Sequence, residues 1–108
     1  MNPVYRIKLR WLTPQESGRQ SPIRGGRRYT PTARFAGEES QFSVVLEFPQ
    51  SNLLNPPEGT LRLLFSDLVE IQRRMVPGVA LEIMEGARVV ANCRIESLEP
   101  QPVAAAAR

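Results

Sequence analysis

The chain of 108 residues is long enough to bury one modest hydrophobic core, and its 42% hydrophobic and 23% charged residues are typical of a globular domain. It has no histidine and one cysteine, Cys93, which excludes an intrachain disulfide and predicts a protein that is not an enzyme and uses no metal or other cofactor. No apolar run could span a bilayer and the N-terminus lacks a signal-peptide core, so we expect a cytoplasmic protein that does not engage membranes.

The charge is distributed unevenly along the chain. Residues 1–34 carry eight basic side chains and one acidic side chain, a net charge of +7, whereas residues 35–108 carry six arginines and ten acidic residues, a net charge of −4. A basic segment of this kind can attract phosphates or an acidic protein surface. Arginines on a merely solvated face would produce the same pattern.

The first predicted element is a strand over residues 4–12. Hydrophobic and charged residues alternate in it, which is the pattern of a half-buried strand, and its apolar face comprises Tyr5, Ile7, Leu9 and Trp11. Residues 13–28 contain two prolines and three glycines and predict a loop, whose length indicates either a function or partial pairing.

Three further strands are predicted in the middle of the chain. Residues 29–36 form a strand that Pro31 confines to an edge or a bulge, because proline lacks the N–H that a central strand donates. Residues 41–48 and 60–66 alternate in the same way as the first strand. The predicted core residues of these two strands are Phe42, Val44, Leu46, Phe48, Leu61, Leu63 and Phe65.

Residues 67–77 fit two structures. The side chains of Leu68, Val69, Ile71 and Met75 could line a short helix, or they could belong to an extended segment. The periodicity over so few residues does not separate the two.

The last predicted unit is a β-hairpin formed by residues 79–84 and 88–98 around the turn at residues 85–87. Cys93 shares a face with apolar residues of the return strand, so we expect a small core hydrophobe and not a reactive thiol. Six strands joined by loops predict a small antiparallel barrel or sandwich, and closure removes the exposed edges. The expected organisation is a single β-barrel domain over residues 1–98 and a flexible Pro/Ala-rich tail over residues 99–108.

Two segments carry a resemblance to a known family. Residues 16–23 (ESGRQSPI) follow the first strand, and residues 83–91 (IMEGARVVA) lead into the last one. Together they resemble the C-terminal β-barrel domain of elongation factor Tu, in the translation-factor GTPase family, and the likeness keeps its order from about residue 4 to residue 98. It implies an all-β fold with a six-stranded closed antiparallel barrel. It also favours an extended structure for residues 67–77, because the family has a strand where this chain has residues 61–69.

The chain departs from that family in ways that bear on function. Where the family has a second glycine in each motif, this chain has Ser17 and Ala87. It also contains no Gly-x-x-x-x-Gly-Lys-[Ser/Thr] loop, so we expect no GTP binding by this chain.

In the family, this barrel touches the backbone of aminoacyl-tRNA. The positions that the resemblance makes candidates for such a contact are Gly18, Arg19, Gln20, Ser21 and Arg88. No family motif covers Arg24, Arg27 and Arg28, which we add because guanidinium groups suit both phosphate and carboxylate oxygens.

Two binding functions and one structural alternative follow. We favour a stand-alone, non-catalytic, translation-factor-like module that engages an acidic protein partner through the Arg-rich loop. The alternative is a module that binds the backbone of RNA, such as a tRNA-like stem, by shape. The third possibility is a structural barrel whose arginines are only solvated.

Overall fold

The computed structural model describes residues 3–16, 18–49, 52–65 and 68–99. These residues are mostly in strands, with one short α-helix, α1 (Val69–Arg74), and one 3-10 turn at Pro14–Glu16. The strands are β1 (Tyr5–Trp11), β2 (Arg28–Tyr29), β3 (Thr32–Phe35), β4 (Phe42–Glu47), β5 (Glu58–Leu63), β6 (Ala80–Glu85) and β7 (Arg88–Leu98).

The strands form a closed six-stranded antiparallel barrel, as predicted. Neighbouring strands pair in the order β4, β3, β6, β7, β1, β5, and a further pairing of β5 with β4 closes the sheet. Closure leaves none of these six strands as an edge, which removes the main risk of aggregation in a small sheet.

Strand β2 continues β3 across a break at Pro31. Both strands pair with β4 in one register, since Arg28 lies opposite Glu47 and Thr32 opposite Ser43. Pro31 cannot donate to this ladder, but its carbonyl accepts the N–H of Val44 at 3.1 Å. The sequence therefore predicted the strand and its interruption. The first piece, β2, stands at the end of the strand order beside β4, whereas β3 lies between β4 and β6.

The core lies inside the barrel and consists of the inward residues of each strand. The predicted inward residues of β1 and β4 are buried except for Trp11, which is half-buried. The buried cluster comprises Tyr5, Ile7, Leu9, Ile23, Ala33, Phe35, Phe42, Val44, Leu46, Phe48, Leu61, Leu63, Met75, Leu81, Ile83, Val90, Ala91, Cys93 and Ile95. The prediction for Cys93 is confirmed, and burial raises the pKa of its thiol to about 12.

Two sequence-based expectations for the middle of the chain are wrong. Strand β5 ends at Leu63, and Phe65, which was expected in the core, is 56% exposed. The favoured extended structure for residues 67–77 is also contradicted, because α1 spans Val69–Arg74. Helical spacing places Leu68, Ile71 and Met75 on one face, and burial of that face against the core favours the helix over a strand.

The hairpin of β6 and β7 has the predicted turn. Glu85 pairs with Arg88, so the turn consists of Gly86 and Ala87. Gly86 has a φ of 64°, whereas Ala87 is not among the residues with positive φ, which defines a type II′ turn. Glycine is required at the first of these two positions because its φ is positive.

The two ends of the barrel differ. We call the end that carries residues 12–27, the loop at 52–57 and the turn at 86–87 the loop end, and the opposite end, which carries α1, the helix end. Glu99 continues past β7, where its N–H donates to the Val4 carbonyl at 2.7 Å and its carboxylate pairs with Arg6. Of the tail predicted over residues 99–108, the part from residue 100 onwards lies outside the described residues.

Candidate interaction surface at the loop end

The long loop after β1 begins with a compact turn. Thr13 and Glu16 form a capping box: the Glu16 carboxylate accepts the Thr13 N–H at 2.9 Å, and the Glu16 N–H lies 3.3 Å from the Thr13 hydroxyl. The hydrogen bond from the Thr13 backbone lowers the pKa of Glu16. Gly18 then packs against the start of the turn, where an added Cβ would lie 2.1 Å from the Leu12 carbonyl oxygen. This glycine is therefore required by close backbone packing.

Arg19 joins the two segments that carried the family resemblance. It pairs with the carboxylate of Glu85, which also accepts a hydrogen bond from the Tyr29 hydroxyl. The guanidinium carbon of Arg19 lies 5.3 Å from the centre of the Tyr29 ring, and Arg88 approaches the second Glu85 oxygen at 3.8 Å. We call Arg19, Tyr29, Glu85 and Arg88 the Glu85 cluster. It fixes the loop to the β6–β7 hairpin.

The electrostatics of the Glu85 cluster keep its central acid ionised. Burial opposes the charge on Glu85, but the hydrogen bonds from Tyr29 and Arg19 outweigh it, so the pKa of Glu85 is lowered. Burial, together with the hydrogen bond to Glu85 and its charge, raises the pKa of Tyr29 well above its ordinary value. At neutral pH the cluster thus holds a carboxylate, a neutral phenol and two guanidinium groups.

Three other arginines line an open cleft beside this cluster. Arg24, Arg27 and Arg28, which we call the cleft arginines, surround a cleft of about 320 Å³ together with Arg19, Pro22, Ile23 and Tyr29. All three cleft arginines are exposed, and within the described ranges none of them has an acidic side chain at ion-pairing distance. Their guanidinium groups are therefore available to a ligand.

A second loop completes the wall of the cleft. Arg24 forms an isolated antiparallel bridge with Leu54, and the N–H of Gly25 donates to the Leu53 carbonyl at 3.0 Å. Leu53 and Leu54 are 53% and 51% exposed. We call the cleft arginines together with these two leucines the arginine–leucine surface.

Asn55 holds the two loops together. Its side-chain oxygen accepts the N–H of Ile23 at 2.9 Å, and its own N–H donates to the Ile23 carbonyl at 2.6 Å. Its φ of 51° is left-handed, a conformation that asparagine tolerates better than most residues. Ile23 is buried, so the loop is fixed at this point from both sides.

Aromatic side chains connect the second loop to the barrel. The indole N–H of Trp11 donates to the Pro56 carbonyl at 2.7 Å. The Trp11 ring also contacts Tyr29 and Phe48, with ring centres 6.1 and 6.0 Å apart. Both loops of the loop end therefore rest on the barrel through hydrogen bonds and ring contacts.

The candidate residues predicted from the sequence separate into two groups. The structure brings Arg24, Arg27 and Arg28 to one cleft, with Gln20 and Ser21 exposed nearby in the same loop. Gly18 is buried, and Arg19 and Arg88 already pair with Glu85. Sequence reasoning missed Leu53 and Leu54. Two consecutive leucines in an otherwise polar, proline-containing loop were the available signal.

Two larger grooves lie on the outer face of the barrel, with volumes of about 600 and 500 Å³. They share Lys8 and Glu96, which lie 3.9 Å apart, and they mix both signs of charge. The loop-end cleft is smaller, but its exposed charges have a single sign.

No protein-family model matches this sequence, and no curated protein is similar enough to count as a relative. Among the described residues, no group of acidic and cysteine side chains is arranged to hold a metal ion. The described part of the chain also has no helix of the length and hydrophobicity needed to cross a membrane.

Proposed function

We propose that the barrel is a non-catalytic binding module that engages a protein partner through the arginine–leucine surface. The observation that carries this proposal is the bridge that sets Arg24, which has no ion pair within the described residues, opposite the exposed Leu54. Protein interfaces combine apolar contacts with polar groups and are enriched in arginine. The fitting partner is an acidic segment with an apolar side chain near its charges.

The competing function is binding of an RNA backbone. Guanidinium groups pair with phosphate oxygens, which favours it. However, exposed leucines add nothing to phosphate contacts, and the nearby ring of Tyr29 is covered by Arg19 and so is a poor platform for base stacking. A protein partner uses both the arginines and the leucines of the arginine–leucine surface.

Two variants distinguish these functions. One replaces the cleft arginines with glutamate, and the other carries Leu53→Ser and Leu54→Ser. A matched control, with Arg62, Arg73 and Arg94 replaced by glutamate, removes the same charge from elsewhere on the barrel.

The proposal predicts that a nuclease-treated native lysate yields the same protein partner with wild type and with the control. Both surface variants should lose that partner. A direct titration with tRNA at about 50 and 200 mM salt provides the second measurement, since three phosphate contacts give a log–log slope of about −2 to −3. Binding of tRNA that survives the leucine changes and depends on the cleft arginines would establish the RNA function instead.

A further inference from the structure

The cleft arginines form a compact positive site, and none of the described residues that line the cleft is acidic. They come from five consecutive residues, and the chain turns back between them at Gly26, whose φ is 81°. This turn lets Arg27 and Arg28 line the same cleft as Arg24. Like charges held this close repel one another, so the arrangement favours a ligand that neutralises several of them at once.

The neighbouring acids do not supply that neutralisation. Glu85 lies at the side of the cleft but is shared between Arg19 and Arg88. Glu47 is opposite Arg28 in the ladder of β2 and β4, yet it makes no ion pair with it among the described residues. The cleft therefore keeps an excess of about three positive charges.

From this geometry we infer that the cleft binds a phosphate monoester carried by a side chain of the protein partner, with apolar neighbours of that side chain resting on Leu53 and Leu54. This inference rests on the proposed function and names the chemistry of its partner. A phosphate monoester carries about −1.5 to −2 charges on three acceptor oxygens, and arginine clusters are a recurring way to recognise it. A carboxylate offers one charge and two oxygens, and each phosphate of an RNA backbone is a diester with a single charge.

The pH dependence of the charge on a phosphate monoester provides a test that distinguishes it from a carboxylate. Its second pKa is about 6, so the doubly charged fraction falls about fourfold between pH 7.5 and pH 5.5. The ionisable groups that line the cleft are four arginines and Tyr29. Glu85 pairs with Arg19 beside the cleft, Glu47 lies opposite Arg28 in the ladder, and the chain has no histidine. Histidine is the side chain whose ordinary pKa lies in this range, and the chain has none, so a change in binding reports the ligand.

The experiment uses three mixtures of short peptides attached to beads, with phosphoserine, serine or glutamate at the central position and random residues at the others. Binding of the full chain to each mixture is measured at both pH values. We expect the phosphoserine mixture to bind about tenfold more tightly than the glutamate mixture at pH 7.5. We expect that advantage to shrink about fourfold at pH 5.5.

The surface variants provide the internal controls. Glutamate at the three cleft positions should abolish the phosphoserine preference, and the control with Arg62, Arg73 and Arg94 replaced should keep it. With Leu53→Ser and Leu54→Ser, the preference for phosphoserine should remain while the enrichment of apolar residues among the retained peptides disappears.

The outcomes separate this inference from the proposed function. Equal binding of the glutamate and phosphoserine mixtures, or no dependence on pH, overturns the phosphate inference. A lysate partner that is still captured after phosphatase treatment does the same, while leaving the proposed function intact. Preferential binding of single-stranded oligouridylate over the phosphoserine mixture overturns both.

Discussion

The Glu85 cluster makes a measurable contribution to stability, and Glu85→Ala is the change that isolates it. The substitution removes the acceptor of two hydrogen bonds, one from the Arg19 guanidinium and one from the Tyr29 hydroxyl. Hydrogen bonds to a charged group contribute about 1.5–3 kcal/mol each, and the side chains of Arg19 and Glu85 are 25% and 28% exposed. Allowing for that exposure, we expect the free energy of unfolding to fall by about 2–4 kcal/mol.

Urea unfolding followed by circular dichroism measures this loss directly. For a domain of this size, the same loss lowers Tm by about 10–20 °C. Glu47→Ala is the matched control, since Glu47 is an exposed strand residue without an ion pair in the described part of the chain, and it should cost less than about 0.5 kcal/mol. A double-mutant cycle with Arg19→Ala then measures the coupling between the two side chains. If Glu85→Ala costs no more than Glu47→Ala, the reasoning that this cluster fixes the loop to the hairpin is refuted.

Four further predictions concern the same fold and surface. Because the pKa of Glu85 is lowered in the folded state, its contribution is complete above the ordinary value of 4.5 and is lost as the pH falls below it; acid titrations should show wild type losing more stability there than Glu85→Gln. Gly18→Ala should cost about 2 kcal/mol or more by thermal unfolding, since its Cβ would overlap the Leu12 carbonyl, and an unchanged Tm would contradict the close packing. Replacing the cleft arginines with glutamate should change stability by less than about 1 kcal/mol in urea, and unfolding of this variant would mean that the loop needs them for packing. Leu46→Ala should cost about 2–5 kcal/mol through a cavity in the core, and a value below about 1 kcal/mol would count against its complete burial.

Alternation of apolar residues was enough to predict most of the barrel. It placed β1, β4 and the β6–β7 hairpin within one or two residues of their observed ends. The reason is that apolar residues occupy every second position in a strand that is buried on one face. The same rule failed for Phe65, where the alternation continues past the point at which the chain leaves the sheet. For residues 67–77 the short helix was one of two alternatives left open, and the resemblance favoured the other. A helix of six residues has little intrinsic stability, and the burial of Met75 that favours it is a tertiary contact.

The surface was harder to predict than the fold. Charge composition identified the basic loop, but pairing with Glu85, a residue 66 positions away, is what removes Arg19 from the available set. The leucines opposite Arg24 come from a loop about 30 residues further along the chain. The pattern of neighbouring residues in the sequence does not reveal contacts between segments that lie this far apart in the chain. The resemblance brought attention to the two turn segments, and the structure joins them at Glu85.

The reciprocal hydrogen bonds between Asn55 and Ile23 have a consequence for affinity. Ordering a loop residue costs about 1–2 kcal/mol of backbone entropy, and here that cost is met when the protein folds, before any partner arrives. The partner that we propose would meet a preorganised surface, so its association would need no loop closure and its affinity would not be lowered by non-binding loop conformations. If a partner binds as proposed, Asn55, whose polar groups are turned towards its own chain, is a determinant of binding strength that need not touch that partner.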